Sequence, residues 1–280
     1  MVTTLLKSTL REIRQSLGRF LAILTIVGLG VGFLSGIRMS QPSMLATGTK
    51  YLDDHLFHDF RLLSTLAFTE EDVEAFSALE GIGLARGSYY TEFLSTMGSE
   101  SERVLITHSL TDGINLPELT AGRMPERSNE CLGDANHFSL EDIGRTVFVS
   151  PNNDEDTLDL LRHDEYTLVG LADSPLYLNY ERGTASIGSG SISAFLLMPE
   201  SAFDSDVYRE IYLSLADTAP AYSDEHKALS ERMEAQVESL LEHRADVRYE
   251  TLYFDAMEEI HDGEVELPAH DYGGLEGVEI

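Results

Sequence analysis

Cysteine is nearly absent from this chain: Cys131 is the only one among 280 residues. A single cysteine cannot close an internal disulfide, so the fold is not stapled in the way that many small secreted domains are. We expect the Cys131 thiol to act as a small buried apolar side chain. A packed core must hold the fold, and the roughly 240 residues after the N-terminal region are enough for one sizeable domain or two small ones.

Lysine and arginine are scarce beyond the first forty residues. After Arg38 the chain has 48 acidic side chains and 14 basic ones, a formal net charge of −34. Such a segment repels nucleic acid and anionic lipid, which excludes DNA binding. A cationic ligand and a salty habitat would both suit this charge, and composition does not choose between them.

Nucleotide-binding and hydrolase motifs are missing. No G-x-x-x-x-G-K-[ST] occurs, and the glycine-rich residues 183–190 lack the lysine that such a loop needs for phosphates. No G-x-S-x-G nucleophile turn occurs either. We therefore predict no catalytic residue, no bound cofactor and no enzymatic activity, and we interpret residues 183–190 as a flexible loop.

One group of side chains has the residue types of a metal site: His55, His58 and Asp59. On a helix these three would share a face and could supply zinc ligands. The alternative is a solvated polar face on a helix that leaves the membrane. We favour the solvated face and predict no metal site.

An uncharged apolar run, FLAILTIVGLGVGFLSGI, fills residues 20–37. At about 1.5 Å per residue it spans roughly 27 Å, close to the ~30 Å hydrocarbon core of a bilayer. A cleaved signal peptide would have a shorter apolar region and small residues at its cleavage site, so a retained transmembrane helix is predicted. Gly28 and Gly32 form a G-x-x-x-G pair that would let another helix approach closely, although such pairs also arise by chance in glycine-rich spans.

Charge around this run predicts its orientation. Glu12 is the only acidic residue before the span, against the basic residues Lys7, Arg11, Arg14 and Arg19. The positive-inside rule then places the N-terminus in the cytoplasm and everything after Arg38 outside. Residues 1–19 are predicted to form a basic amphipathic helix on the inner membrane surface, the alternative being a plain basic flank.

The remainder is predicted to be an α+β extracytoplasmic domain at residues 38–257, followed by an acidic, disordered tail at 258–280. Strand and helix patterns alternate irregularly along the domain, with hairpins, which is typical of the α+β class. A helical stalk is expected at 41–60, starting after Pro42, and residues 111–137 are expected to be loop. The predicted helices are 69–79 and 224–244, and the predicted strands are 60–66, 84–97, 103–109, 146–150, 166–172, 191–198, 208–216 and 247–254.

Four segments of this sequence resemble ABC-transporter permeases of the MacB/FtsX type. Residues 11–26 resemble the basic entry into the first span of that family. Gly122-Arg123-Met-Pro125, followed by Glu130, resembles its "G-R-x-P/F … E" turn. Residues 143–147, which contain Gly144, resemble its "G-x-x-V" strand, and residues 166–170, which end in Gly170, its "(F/Y)-x-V-V-G" strand. In such a turn Gly122 and Pro125 would set the bend, and Arg123 could hold the carboxylate of Glu126 or Glu130; these roles are structural.

The resemblance implies a function. A cytoplasmic ABC ATPase subunit would bind ATP, and a second permease subunit or a second copy of this chain would complete the membrane part. The external domain would then move against a substrate or partner protein. The later spans of the family do not occur in this sequence, so we expect a permease component or an N-terminal permease fragment. The alternative is a stand-alone, membrane-anchored surface binding module.

Overall fold

A long helix, α1, runs from Leu17 to Asp54 and contains the predicted span. In the part of the chain that the structure describes, it is the one helix long and apolar enough to cross a membrane. The computed structural model describes residues 11, 14–98, 101–217 and 219–266, and the chain divides into two units, residues 1–53 and 54–280. Most of the basic helix predicted at residues 1–19 lies outside the described residues.

Helix α1 continues through Pro42, so the prediction of a separate stalk starting after that residue was wrong. Proline has no backbone N–H and removes one helical hydrogen bond. The turns on both sides keep their own bonds: the chain remains helical to Asp54, and the Ser40 hydroxyl donates to the Gly36 carbonyl at 3.0 Å. The predicted helical character of this segment is confirmed as far as Asp54.

The second unit is a mixed α+β domain, which confirms the predicted fold class. In chain order its elements are β1 (Phe60–Phe68), α2 (Glu70–Ser77), β2 (Ile82–Ser88), β3 (Tyr90–Thr96), β4 (Arg103–Ser109), β5 (Glu118–Gly122), β6 (Glu130–Asp134), β7 (Thr146–Val149), α3 (Glu155–Leu160), β8 (Glu165–Asp173), β9 (Ala194–Met198), β10 (Tyr208–Leu215) and α4 (Asp224–Glu266). Single turns of 3₁₀ helix lie at Leu140–Asp142 and Glu200–Ala202.

Strands β1, β10 and β2 form an antiparallel sheet in that order. Helices α2 and α4 cover it, and the core between them contains Phe76, Ile211, Leu213, Met233 and Val237. Helix α2 starts as predicted, because the Thr69 backbone N–H donates to the Asp72 carboxylate at 2.7 Å. We call this sheet with its two helices the terminal lobe.

The remaining strands close into a barrel. Strand β7 pairs with both β3 and β8, so the ladder β3-β4-β9-β6-β8-β7 returns to its start, and β5 is added to β8. The β4–β9 and β6–β8 pairs are parallel, and the other pairs of the barrel are antiparallel. Its largest fully buried side chains include Phe93, Leu105, Tyr166 and Leu168. We call this part, residues 89–207, the barrel lobe.

The barrel lobe is an insertion within the terminal lobe. The chain enters it at Tyr89, between β2 and β3, and returns just before β10. Both ends of the second unit therefore belong to the terminal lobe, since β1 follows α1 along the chain and α4 packs against β1 and α2. This arrangement leaves two chain crossings between the lobes.

Two sequence predictions fail at the C-terminal end. The predicted strand 247–254 is helical, and the helix continues to Glu266. Residues 258–266, which were predicted to belong to a disordered tail, are therefore helical as well. The β-branched and aromatic residues of 247–254 favour a strand, but a strand needs a neighbouring edge to satisfy its backbone groups, and a helix satisfies them within the segment. Residues 267–280 lie outside the described residues.

Two further predictions fail within the barrel lobe. Residues 111–137, predicted as loop, contain β5 and β6. Strand β6 has the sequence ECLGD and is buried at every position. It was not predicted because glycine, aspartate and glutamate are uncommon in strands. The predicted strand 84–97 is two strands that break at Tyr89 and belong to different sheets. The second of these strands, β3, pairs antiparallel with β4.

Candidate functional site

The G-R-x-P turn lies where β5 meets β8, and two glycines face each other there. Gly122 and Gly170 are paired residues of the two strands. Gly122 has φ +78°, and a Cβ on it would lie 2.4 Å from the Val169 carbonyl oxygen. A Cβ on Gly170 would lie 2.6 Å from the Arg123 carbonyl oxygen. Both positions therefore require glycine, because the strands approach too closely for any side chain.

Arg123 and Glu130 close this turn with a two-pronged ion pair. The two terminal guanidinium nitrogens of Arg123 donate to the two carboxylate oxygens of Glu130 at 2.8 and 2.6 Å. The Glu126 backbone N–H adds a third bond to the same carboxylate at 2.8 Å. The hydrogen bonds from Arg123 and then from Glu126 lower the pKa of Glu130 to about 2. Of the two carboxylates considered from the sequence, Glu130 is the partner of Arg123.

The other motif residues lie around the same strand. The Gly144 backbone N–H donates to the Leu168 carbonyl at 2.7 Å, with Gly144 at φ +91°. Glu130 is paired with Thr167 in the β6–β8 ladder. Pro125 lies in the short connection between β5 and β6, within the loop that Arg123 and Glu130 close. The motif residues after the first span therefore lie on β8 or close to it, and their contacts hold the neighbouring segments in place against this strand.

A second cluster, which the sequence did not nominate, surrounds the fully buried Glu210 of β10. Its Oε2 accepts a hydrogen bond from Arg61 Nε at 2.6 Å. Its Oε1 accepts from the Tyr212 hydroxyl at 2.6 Å and from the Ser88 hydroxyl at 3.2 Å. His108 Nδ1 lies 3.3 Å from the same oxygen. A lone glutamate in the apolar strand YREIYLSL was the one sequence signal of this site.

The Glu210 cluster joins the two lobes. Glu210 and Ser88 belong to the terminal lobe, whereas His108 lies on β4 of the barrel lobe. His108 Nε2 in turn lies 2.7 Å from the Tyr177 hydroxyl oxygen, and the Ser88 hydroxyl contacts that of Ser109 at 3.1 Å. These bonds lie beside the chain crossing at Tyr89, so they fasten the lobes together where the chain passes between them.

Burial alone would raise the pKa of Glu210. The hydrogen bond and charge of His108, the charge of Arg61 and the Tyr212 hydroxyl outweigh burial and lower this pKa to about 2. The carboxylate therefore stays ionised near neutral pH, where it has no proton to donate and is a weak base. Removing Glu210 would leave Arg61 without its counter-charge, although the Arg61 side chain is 38% exposed to water.

A third ion pair, buried on both sides, holds the connection between β8 and β9. Arg182 donates to both carboxylate oxygens of Asp134, from Nε at 2.5 Å and from a terminal nitrogen at 2.8 Å. The guanidinium also lies over the rings of Tyr177 and Phe195. Residues 183–190, predicted as a loop, follow directly and contain neither helix nor strand. Arg182 therefore tethers the start of this loop, and Tyr180, two residues before Arg182, is exposed to solvent.

The predicted helical face of His55, His58 and Asp59 does not exist, because α1 ends at Asp54. His55 Nδ1 lies 2.8 Å from the Leu116 carbonyl oxygen, and His58 bonds to the Asn115 side chain. Asp59 accepts from the Leu215 backbone N–H at 2.6 Å. No group of three His, Cys, Asp or Glu side chains among the described residues is placed to hold a metal ion.

The remaining sequence expectations concern Cys131 and the helix glycines. Cys131 is fully buried in the barrel, as expected, and burial raises the pKa of its thiol. Gly28 and Gly32 lie on α1, where a Cβ at either position would meet nothing within 4 Å. Their role in helix packing stays a prediction.

No protein-family model and no curated protein sequence matches this chain. It is similar to a number of solved structures, three of which are described here. The extracellular domain of the noncanonic ABC-type transporter YknZ from Gram-positive bacteria is 10% identical, with a TM-score of 0.37, over 63% of this chain and 87% of that one. The periplasmic region of MacB from Actinobacillus actinomycetemcomitans is 14% identical, with a TM-score of 0.35, over 62% of this chain and 75% of that one.

The third structure is a domain described as part of a permease protein from Porphyromonas gingivalis. It is 17% identical, with a TM-score of 0.36, over 60% of this chain and 77% of that one. The first two structures are thus domains of an ABC-type transporter and of MacB, and the third is a permease domain. With TM-scores below 0.5, these similarities establish neither a shared activity nor a shared partner.

Proposed function

We propose that this chain is the membrane component, or the N-terminal part, of an ABC-transporter permease of the MacB/FtsX type. Its α1 would span the membrane with the N-terminus in the cytoplasm, and the second unit would lie outside. The observation that carries the proposal is the motif cluster at β8. Gly122, Arg123, Glu130 and Gly170, which were nominated by their resemblance to the motifs of that family, lie together where β5 meets β8.

The proposed mechanism is mechanical. A separate cytoplasmic ATPase would bind and hydrolyse ATP, and its motion would pass along the membrane part of the permease. Because β1 follows α1 along the chain, motion of α1 would enter the terminal lobe first. The two chain crossings and the Glu210 cluster would then transmit it to the barrel lobe, which would act on a substrate or an extracytoplasmic partner.

Orientation can be tested with single cysteines, because the native thiol is buried and its pKa is raised. Ser189 is exposed in the loop between β8 and β9. We expect a Ser189→Cys variant to react with a membrane-impermeant maleimide in intact cells, and a Ser8→Cys variant to react only after permeabilisation. The reverse pattern would contradict the proposed orientation.

An anchor exchange separates this proposal from a stand-alone binding module. Residues 1–37 are replaced by an unrelated single span of the same orientation, and ATPase association is measured with the domain folded. A permease component is expected to lose the ATPase, since its contacts would lie in the exchanged segment. Ligand binding that survives the exchange, with no ATPase bound to either version, would indicate the binding module instead.

A further inference from the structure

Helix α4 has two parts with different surroundings. Its first part packs on the terminal lobe through Leu229, Met233, Val237, Leu240 and Leu241. The last described contacts of α4 with the lobe are an ion pair of Arg244 with Asp72 and a 3.3 Å hydrogen bond from Arg248 Nε to the Leu66 carbonyl. The remaining residues, 249–266, continue as helix over roughly 27 Å at about 1.5 Å per residue.

The second part of α4 carries an exposed apolar stripe. Tyr249, Tyr253, Met257 and Ile260 are 61%, 51%, 48% and 58% exposed; we call these four residues the tyrosine stripe. From Tyr249 on, the described hydrogen bonds and ring contacts of α4 run within the helix, such as the stacked rings of Tyr249 and Tyr253 at 6.3 Å. In the described structure the stripe therefore lacks a cover.

The stripe faces away from the side of α4 that packs on the terminal lobe. At about 100° per residue, the four stripe positions fall within an arc of about 80°. Met233 and Val237, which face the lobe core, lie roughly opposite that arc on the helical wheel. Because α4 is one continuous helix, the face of Met233 and Val237 and the tyrosine stripe point in opposite directions. The terminal lobe contacts the first face and therefore does not cover the stripe.

Charge beside the stripe indicates what would cover it. From Tyr249 to the end of the sequence there is no lysine or arginine, and residues 249–266 contain seven aspartates and glutamates. Glu250 lies beside the stripe on the helical wheel. A second copy of this segment would meet it with like charges, and an anionic lipid surface would be repelled in the same way. A partner with an apolar seam and positive flanks is complementary to it.

We propose that the tyrosine stripe is a docking face for an amphipathic helix of a partner protein, whose apolar seam is flanked by lysine or arginine. Tyr249 and Tyr253 would be the anchors, since tyrosines are enriched among the residues that dominate binding energy. The negative charge of this part of α4 would favour such a partner and speed association. This inference does not depend on the proposed transport function, because it rests only on the geometry and charge of α4.

The test uses the full chain in nanodiscs of phosphatidylcholine and four synthetic helical peptides of about 20 residues. The peptides combine a leucine or a serine seam with lysine or glutamate flanks, and binding is measured by fluorescence anisotropy at two salt concentrations. We expect only the peptide with a leucine seam and lysine flanks to bind, and to bind more weakly at high salt. Equal binding of the glutamate-flanked peptide, or of the serine-seam peptide with lysine flanks, would overturn the proposal, and so would no binding at all.

Two neighbouring aromatic residues provide matched variants. Tyr253 lies on the stripe, whereas Phe254 is 65% exposed but lies about 100° around the helix from Tyr253 and about 60° beyond the edge of the stripe. Tyr253→Glu is expected to weaken peptide binding at least about tenfold, and Phe254→Glu by less than about threefold. Equal losses in the two variants would show that the stripe is not the binding face.

A membrane surface is the competing occupant. An environment-sensitive dye at a Met257→Cys position is expected to respond to the lysine-flanked leucine peptide and not to vesicles of phosphatidylcholine and phosphatidylglycerol. A response to the vesicles alone would assign the stripe to lipid and overturn the proposal. An ATPase that fails to assemble with the chain would leave the peptide result unchanged, so failure of the transport proposal can be told apart.

Discussion

Gly122 and Gly170 face each other across β5 and β8 so closely that neither can carry a side chain. A Cβ on Gly122 would lie 2.4 Å from the Val169 carbonyl oxygen and 2.6 Å from the Gly170 Cα. Gly144 provides a matched contrast, because its φ is also positive, at +91°, yet a Cβ there would meet nothing within 4 Å. A substitution at Gly144 therefore measures the cost of backbone strain alone, and a substitution at Gly122 measures that cost together with steric overlap.

The first prediction uses that contrast. Gly144→Ala is expected to lower the free energy of unfolding by about 1–2 kcal/mol, the cost of a left-handed conformation for an L-residue. Gly122→Ala is expected to cost distinctly more, because β5 must also move away from β8. Thermal unfolding followed by circular dichroism measures both. Equal losses would show that the close strand approach at Gly122 does not contribute.

The second prediction concerns the ion pair of Arg123 with Glu130. Because the pKa of Glu130 is lowered to about 2, its stabilising contribution is complete above the ordinary carboxyl pKa near 4.5 and is lost as the pH falls toward 2. Arg123→Lys keeps the charge but loses the two-pronged geometry. We expect this variant to be less stable than the unchanged protein near neutrality, and the difference between the two to shrink as the pH falls from 4.5 toward 2. Equal stability of the two proteins near neutrality would contradict this role.

The third prediction concerns Glu210 between the lobes. Glu210→Gln is expected to destabilise the protein by about 1–3 kcal/mol near neutral pH, because Arg61 loses its counter-charge but is 38% exposed, so water compensates part of the loss. The variant should also lose part of the fall in stability between pH 4.5 and 2, since the pKa of Glu210 is lowered to about 2. Urea unfolding at several pH values measures both effects.

A control for Glu210 is Glu231, which forms an exposed pair with Lys227 within α4. Glu231→Gln is expected to change the stability by less than about 0.5 kcal/mol. A Glu210→Gln variant as stable as this control, with the acid dependence of the unchanged protein, would show that Glu210 does not fasten the lobes.

The fourth prediction concerns Arg182 and the loop that follows it. Arg182→Met leaves the Asp134 carboxylate buried with His137 as its remaining ionisable neighbour, at 2.9 Å. We expect a loss of about 3–5 kcal/mol and faster proteolysis within residues 183–190. Arg162→Met, in the exposed pair with Asp204, is the control and should cost less than about 0.5 kcal/mol. Similar cleavage rates in both variants would contradict the tethering role.

The sequence predicted most of the elements whose pattern is local. The strand at Phe60, the capped helix after Thr69 and the first half of α4 each have apolar positions at the spacing of their element, and the structure confirms them. The composition of the turn also predicted a carboxylate partner for Arg123, which is Glu130. Local spacing was sufficient in these places because neighbouring parts of the chain do not override it.

The barrel and the Glu210 cluster could not be predicted in this way. Strand β6 is buried because β8 and β9 flank it, and its sequence ECLGD gives no alternation to read. Glu210, His108 and Tyr177 come together only through the insertion of one lobe into the other, over separations of up to 102 residues. The composition of residues 247–254 favours a strand. In the described structure no strand edge lies beside them, so they form a helix, which satisfies its own backbone hydrogen bonds.

The central claim is that this chain works as the permease part of an ABC system. The most direct measurement is affinity purification of the tagged full-length chain from mild detergent, with mass spectrometry of the co-purifying proteins and the anchor-exchanged chain as control. We expect an ABC ATPase subunit, alone or with a second permease subunit, to co-purify with the native chain in stoichiometric amount and to be lost with the exchanged anchor. A native chain that purifies alone or only with itself would contradict the claim.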